Sequence, residues 1–139
     1  MKLFLDANVI YAAAKSGAGA SAAVFQLKRK LKLQLVSSRL ALVEAERNIS
    51  SKEDFIILER LYQLIKEITI ITVDSDKAKY YYEKIIEEKD APILFGAKKC
   101  RANFLVTLDK KHFFTKKLKN KKLGFKIITP GEFIKDLMV

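Results

Sequence analysis

The chain has 139 residues, half of them apolar and 31% charged, with a mean hydropathy near zero. That is one domain's length, with enough apolar surface to build a core without disulfides, and it excludes both a disordered tail protein and a membrane protein. Lys and Arg number 27 against 16 Asp and Glu, a net charge of +11, and a cationic surface of this kind attracts polyanions, nucleic acid above all.

Apolar runs alternate with helical patterns and leave little linker, which predicts βαβ units and a parallel sheet. The first strand, Lys2 to Leu5, ends in Asp6, with Asn8 two residues on. These two polar residues interrupt what would otherwise resemble the apolar core of a secretory leader, so the N-terminus reads as mature, folded sequence. Ser16-Gly17-Ala18-Gly19 reads as a flexible loop. Ala20, Ala23, Val24, Leu27 and Leu31 then fall on one helical stripe. A strand over Leu33 to Val36 leads to Ser37 and Ser38, which can cap the next helix; Leu40, Leu42, Ala45 and Ile49 lie on that helix and Ser50-Ser51 close it. Phe55, Leu58, Leu61, Tyr62 and Ile65 predict a further amphipathic helix.

After a strand over Ile68 to Val73, Asp74-Ser75-Asp76 starts a helix bearing Tyr80, Tyr81 and Tyr82. Three consecutive aromatics cannot all face one core, so at least one is expected at the surface, as an interface residue or a stacking platform. Asp90-Ala91-Pro92 opens the next helix, with Pro in the first turn where its missing N–H costs nothing. Asp90 is expected to cap with one oxygen and to leave the other free. Cys100, the only cysteine, reads as a small core residue; alone it forms neither an intrachain disulfide nor a Cys-based zinc site, which points to the cytoplasm. The strand Phe104 to Leu108 ends in Asp109. His112, the only histidine, reads as a surface residue, which leaves oxygen atoms as the expected metal ligands. Lys110, Lys111, Lys116, Lys117, Lys119, Lys121 and Lys122 follow Asp109 closely, where a phosphate backbone would need them. A fifth strand, Phe125 to Ile128, precedes a capping box at Thr129-Pro130-Gly131-Glu132.

Asp6 and Asp109 close strands that can be neighbours at the switch point of a doubly wound sheet, where ligands bind, and Asp90 reaches the same rim. Carboxylates converging there suit Mg²⁺ or Mn²⁺. A fourth acid comes from the helix that starts at Arg39, but the apolar positions Leu42, Ala45 and Ile49 do not favour Glu44 over Glu46.

Leu5-Asp6-Ala7-Asn8-Val9-Ile10, Glu44-Ala45-Glu46-Arg47, Asp90-Ala91-Pro92-Ile93 and Phe104-Leu105-Val106-Thr107-Leu108-Asp109 together resemble the PIN domain, in order and spacing over nearly the whole chain. The resemblance implies a single domain over residues 1–139, a three-layer α/β/α sandwich around a central, mostly parallel five-stranded sheet. It implies a metal-dependent ribonuclease using Mg²⁺ or Mn²⁺, with RNA as substrate and a small antitoxin as partner if the chain is the toxin of a toxin–antitoxin pair. By position the family's acids fall on Asp6, Glu44, Asp90 and Asp109, as metal ligands and catalytic groups, with Asn8 and Thr107 in support. Glu44 takes the helix position because it forms a Glu-x-x-Arg pattern with Arg47. One position departs: Lys111-His112 stand where many relatives carry a further acid, so one carboxylate fewer is available for a second metal.

Lys110, Lys111, Lys116 and Lys117 are the expected RNA contacts. The tyrosine cluster and the apolar helices between Arg39 and Lys66, together with the frequency of dimers among resembling proteins, point to a homodimer. Two other readings compete. A phosphatase with an aspartate nucleophile after the first strand needs an acid two residues later, where this chain has Asn8. A catalytically inactive PIN-like module would hold RNA or a protein on its basic face.

Overall fold

A computed structural model of the chain describes residues 1–137. Its elements run β1 (Lys2–Leu5), α1 (Ala7–Lys15), α2 (Ala20–Gln26), β2 (Gln34–Ser38), α3 (Arg39–Lys52), α4 (Phe55–Ile65), β3 (Ile68–Ile71), α5 (Ser75–Tyr81), α6 (Ala91–Lys99), β4 (Phe104–Val106), α7 (Lys110–Phe113), α8 (Lys116–Lys119), β5 (Lys126–Ile128) and α9 (Pro130–Leu137).

The five strands form one sheet in the order β3-β2-β1-β4-β5, parallel throughout. The chain builds outward from β1 to β3, then returns across β1 to lay down β4 and β5. With right-handed crossovers, that reversal puts the crossover helices of the two halves on opposite faces, giving the α/β/α sandwich, while α9, after the last strand, packs back on α2. Accordingly α1 packs with α2, α3 and α4, whereas α6 packs with α5 and lies across β1, β2 and β4. β1 is the central strand: Leu3, Phe4 and Leu5 have no exposed surface, as expected for a parallel strand covered on both faces. Gly96 of α6 sits directly over Phe4, and a Cβ at that position would come within 2.4 Å of the ring. Glycine is therefore what allows α6 to approach β1.

Several boundaries differ from the sequence expectations, each for a local reason. β2 runs on through Ser37 and Ser38, because both still pair with β3 and the Ser37 hydroxyl donates to Leu5 O at 2.7 Å. Ser38 alone caps α3, accepting from Ala41 N, and α3 passes through Ser50-Ser51 to Lys52. The stripe through Leu31 is not one helix. α2 ends at Gln26, and the crowded cations from Lys28 to Lys32 form a tight turn, closed by Lys32 at φ 53°. β4 stops at Val106, after which Leu108 turns out to solvent. The capping box at Thr129 forms as expected: Glu132 N donates to Thr129 Oγ1 at 3.1 Å, and Thr129 N donates back to Glu132 Oε1 at 3.4 Å. Cys100 is only half-buried, at the C-terminal end of α6 where the chain turns toward the surface. Of the three tyrosines, Tyr82 is buried and Tyr80 and Tyr81 are exposed. Among the described residues no helix is long and apolar enough to cross a membrane.

Candidate active site

β1 and β4 are adjacent, so Asp6 and the turn after Val106 meet at the carboxyl edge of the sheet. Asp6 begins α1 as its cap: Oδ1 accepts from Ala7 N at 2.7 Å. Its Oδ2 accepts from Thr107 Oγ1 at 2.7 Å and from the Asn8 side-chain amide at 3.2 Å. Asn8 also accepts from Leu108 N at 3.0 Å, and Thr107 Oγ1 accepts from Asp109 N at 3.1 Å. Asn8 and Thr107 thus tie the ends of the two strands together around one carboxylate. Burial pushes the Asp6 pKa up to about 6; the donors Thr107 and Ala7 work against that rise, and the charges of Glu44 and Asp90 add to it.

Asp109 caps α7. Its Oδ1 accepts from His112 N at 3.1 Å, and its Oδ2 lies 2.7 Å from His112 Nδ1. Burial opposes ionisation here, but the side-chain and backbone hydrogen bonds from His112 outweigh it and hold Asp109 below the ordinary carboxylate range.

Asp90 behaves differently from the expected cap. Its backbone is helical (φ −97°, ψ −14°) rather than extended, and its side chain makes no capping bond. The preceding turn already satisfies Ala91 N at Glu87 O, and Pro92 has no N–H to offer, so little is left to cap. Asp90 Oδ2 is consequently buried with no hydrogen-bond partner among the described residues. Burial raises its pKa, with His112 and Lys89 partly compensating.

Glu44 is exposed on α3 and lines the same crevice, whereas Glu46, two residues on, faces Tyr62 and raises that phenol's pKa through a hydrogen bond. The crevice has a volume of about 520 Å³ and is lined by Asp6, Glu44, Asp90 and Asp109 together with Asn8, Lys52 and Lys89. All four sequence-derived acids therefore share one cavity. A larger cavity of about 680 Å³ under α7, α8 and β5 is walled mainly by Phe113, Phe114, Leu118 and Phe125, and its only acid, Glu132, is committed to the α9 cap. Carboxylate chemistry belongs to the smaller one.

Two lysines that the sequence did not single out, Lys52 and Lys89, reach the crevice, while Lys110, Lys111, Lys116 and Lys117 do not line it. All four are exposed nearby. Lys111 and Lys117 border an adjoining groove that contains Glu87 and His112. His112 itself is not the expected surface residue. Its side chain is 20% exposed, bound to Asp109, with Nε2 3.7 Å from Glu87 Oε1 and Nδ1 3.9 Å from Asp90 Oδ2. Its spacing of three residues from Asp109 at the start of α7 is the one sequence signal that could have placed it there.

Crowded carboxylates, of which Asp6 and Asp90 have raised pKa values and Asp90 a buried oxygen that lacks a donor, form a donor set that fits a hard divalent cation. The family model for the PIN domain matches residues 2–111, a span that contains every one of these acids. The chain belongs to the PIN-domain family. Solved structures with the same fold include PAE2754 from Pyrobaculum aerophilum, 16% identical, with a TM-score of 0.67 over 99% of this chain and 96% of that one. VapBC2 from Rickettsia felis, bound to a DNA fragment from its promoter, is 19% identical, with a TM-score of 0.68 over 93% of this chain and 98% of that one. FitAB bound to an IR36 DNA fragment is 16% identical, with a TM-score of 0.57 over 92% and 94%. Comparison with curated protein sequences finds no match. Within this PIN domain, the acidic rim falls where the sheet reverses direction, the position at which open α/β sheets bind their ligands.

Proposed function

We propose that this PIN domain is a Mg²⁺- or Mn²⁺-dependent endoribonuclease that hydrolyses phosphodiester bonds of RNA. The observation that carries the reading is the convergence of Asp6, Glu44, Asp90 and Asp109 on one crevice in a chain of net charge +11. Four acids at a surface cleft would repel RNA unless a cation resided among them. A bound divalent ion would supply Lewis-acid stabilisation of charge on the phosphate and on the leaving 3′ oxygen. Asp6, Asp109, Asp90 and Glu44 would hold it, directly or through water.

Asn8 and Thr107 fix the orientation of Asp6. Asp90, with an unpaired oxygen and a raised pKa, is suited to accept the proton of an attacking water. Lys52 and Lys89 meet the phosphates at the mouth of the crevice, and Lys110, Lys111, Lys116 and Lys117 extend the cationic path beyond it.

The chemistry of the product ends tests this directly. Water attack with a 3′-oxygen leaving group yields 5′-phosphate and 3′-hydroxyl termini. A 2′,3′-cyclic phosphate would mean that the 2′-hydroxyl is the nucleophile and would contradict the mechanism. RNA binding with no cleavage under Mg²⁺ or Mn²⁺ would favour the inactive-module reading.

We read the biological role as the toxin half of a toxin–antitoxin pair acting in the cytoplasm, with a small antitoxin protein covering the crevice. VapBC2, similar in fold, supports that reading. A neighbouring gene whose product co-purifies with the chain and blocks cleavage is the expected finding.

A further inference from the structure

Beside the acidic crevice, Glu87, Asp90 and His112 each place a ligand atom within 4.8 Å of the other two. We propose that these three residues form a mixed nitrogen–oxygen site for a transition metal of the Zn²⁺ class, distinct in its donors from the all-carboxylate set of Asp6, Glu44, Asp90 and Asp109. The proposal goes beyond the cleavage reading; it has Asp90 in common with it as a ligand and uses Asp109 to orient His112.

Three observations support it. The first is the orientation of the imidazole. His112 Nδ1 lies 2.7 Å from Asp109 Oδ2, and since an ionised carboxylate can only accept, Nδ1 is the donor there and Nε2 is the nitrogen left to face a metal. A carboxylate that orients a histidine through its far nitrogen is the usual support for a metal-ligating imidazole. The second is spacing. Nε2 is 3.7 Å from Glu87 Oε1; two ligands held at zinc-like bond lengths in tetrahedral geometry sit roughly 3.4 Å apart. Glu87 is exposed, so its side chain is free to close the difference. The third is the buried, unpartnered Asp90 Oδ2, which lies 3.9 Å from Nδ1 of the ring whose Nε2 faces Glu87. A structural ion pair would leave that oxygen unsatisfied, whereas a shared cation satisfies it.

The chemical consequence is selectivity. Imidazole favours zinc and its later transition-metal neighbours over Mg²⁺, which binds nitrogen poorly. The chain should therefore accept such an ion even when Mg²⁺ is in large excess.

His112 is the only histidine, so its imidazole nitrogens give unique signals in nitrogen-15 NMR. The experiment adds ZnCl₂ alone to the full-length, untagged, metal-stripped chain, with and without about 100-fold more MgCl₂. Zn²⁺ is expected to shift Nε2 by direct ligation at one equivalent while Nδ1 remains protonated, and MgCl₂ alone to produce no ligation shift at Nε2, whatever it does to Nδ1 through Asp109. Equilibrium dialysis should then show Zn²⁺ affinity falling by at least roughly tenfold in Glu87→Gln, the size of effect seen when metal sites lose a partner. In Asp6→Asn the affinity should be unchanged. The NMR measurement on the wild-type chain decides the matter even if a variant folds poorly. Zn²⁺ that leaves Nε2 unmoved, or binds equally well to Glu87→Gln, overturns the proposal. Loss of Zn²⁺ binding in Asp6→Asn also overturns it, because the ion would then sit among the carboxylates. None of these outcomes bears on whether the crevice cleaves RNA with Mg²⁺.

Discussion

Asp6 is buried among donors that favour its ionised form, yet its pKa is pushed up to about 6 from 3.8, chiefly by burial. The folded state thus binds the proton more tightly than the unfolded chain does. Below about pH 4 both states hold the proton and the effect vanishes; as pH rises toward 6 the folded state loses up to about 3 kcal/mol, and above 6 the loss is constant. In EDTA, urea unfolding of the wild type should therefore show stability falling between pH 4 and 6 relative to Asp6→Asn. Saturating Mg²⁺ should recover more stability at pH 7.5 than at pH 5. Parallel pH profiles for the two proteins would show that Asp6 ionises normally. Asp6 and Asp109 were legible in the sequence because a short apolar run ending in an acid needs no tertiary information. Glu44 and Glu46 were not separable by periodicity, since both flank the buried face made by Ala41, Leu42, Ala45 and Ile49; which one meets the crevice depends on how α3 sits against α1 and α4. Lys52, Glu87 and Lys89 reach the site only through tertiary convergence, which a linear pattern does not encode, whereas His112 follows Asp109 by three residues, a local signal of their pairing.

At the scale of elements, the position of α6 is what aligns Asp90 with the rim, and that position rests on Gly96 lying over the fully buried Phe4. Gly96→Ala improves helix propensity but drives a methyl group into a ring with no room to move. Overpacking of this kind costs about 1–3 kcal/mol, more than the propensity gain of at most ~1 kcal/mol. A lower urea midpoint with an unchanged slope is the expected result; an equal or higher midpoint would mean that α6 shifts freely. The presence of five strands and their parallel pairing were readable because parallel strands are continuous apolar runs, whereas the sheet order beyond the neighbourhood of β1 and β4 was not. Their ends were not. Ser37 and Ser38 look like caps in sequence, and only pairing with β3 keeps them in the strand, while the apolar Leu27 and Leu31 suggest a longer α2 than its lysine-rich continuation allows.

For the whole molecule, charge and exposed apolar surface make separate statements. Neutralising Lys110, Lys111, Lys116 and Lys117 together should raise KM for RNA far more than it lowers kcat, because backbone contacts bind ground and transition states alike. The salt dependence of RNA affinity should weaken by roughly 0.7 in logarithmic slope for each contacting lysine. An unchanged slope would confine the RNA path to Lys52 and Lys89. Phe55 and Ile56 are 69% and 65% exposed at the start of α4, and Leu40 and Val43 are exposed on α3. Adjacent large apolar side chains left open to solvent, as Phe55 and Ile56 are, suit an interaction surface, and a second copy is the proposed occupant. Sedimentation at roughly tens of micromolar should show a dimer that Phe55→Glu dissociates; a monomer throughout would reserve the patch for another protein.

The central claim is that four carboxylates at the switch point of the sheet cleave RNA through a divalent cation. Cleavage of single-stranded RNA by the purified chain, measured with Mg²⁺, with Mn²⁺ and with EDTA, for the wild type and for Asp6→Asn, tests it most directly. The account predicts cleavage by the wild type with either metal, none in EDTA, and none by an Asp6→Asn protein that remains folded. Cleavage that persists in EDTA, or wild-type rates in Asp6→Asn, would contradict it.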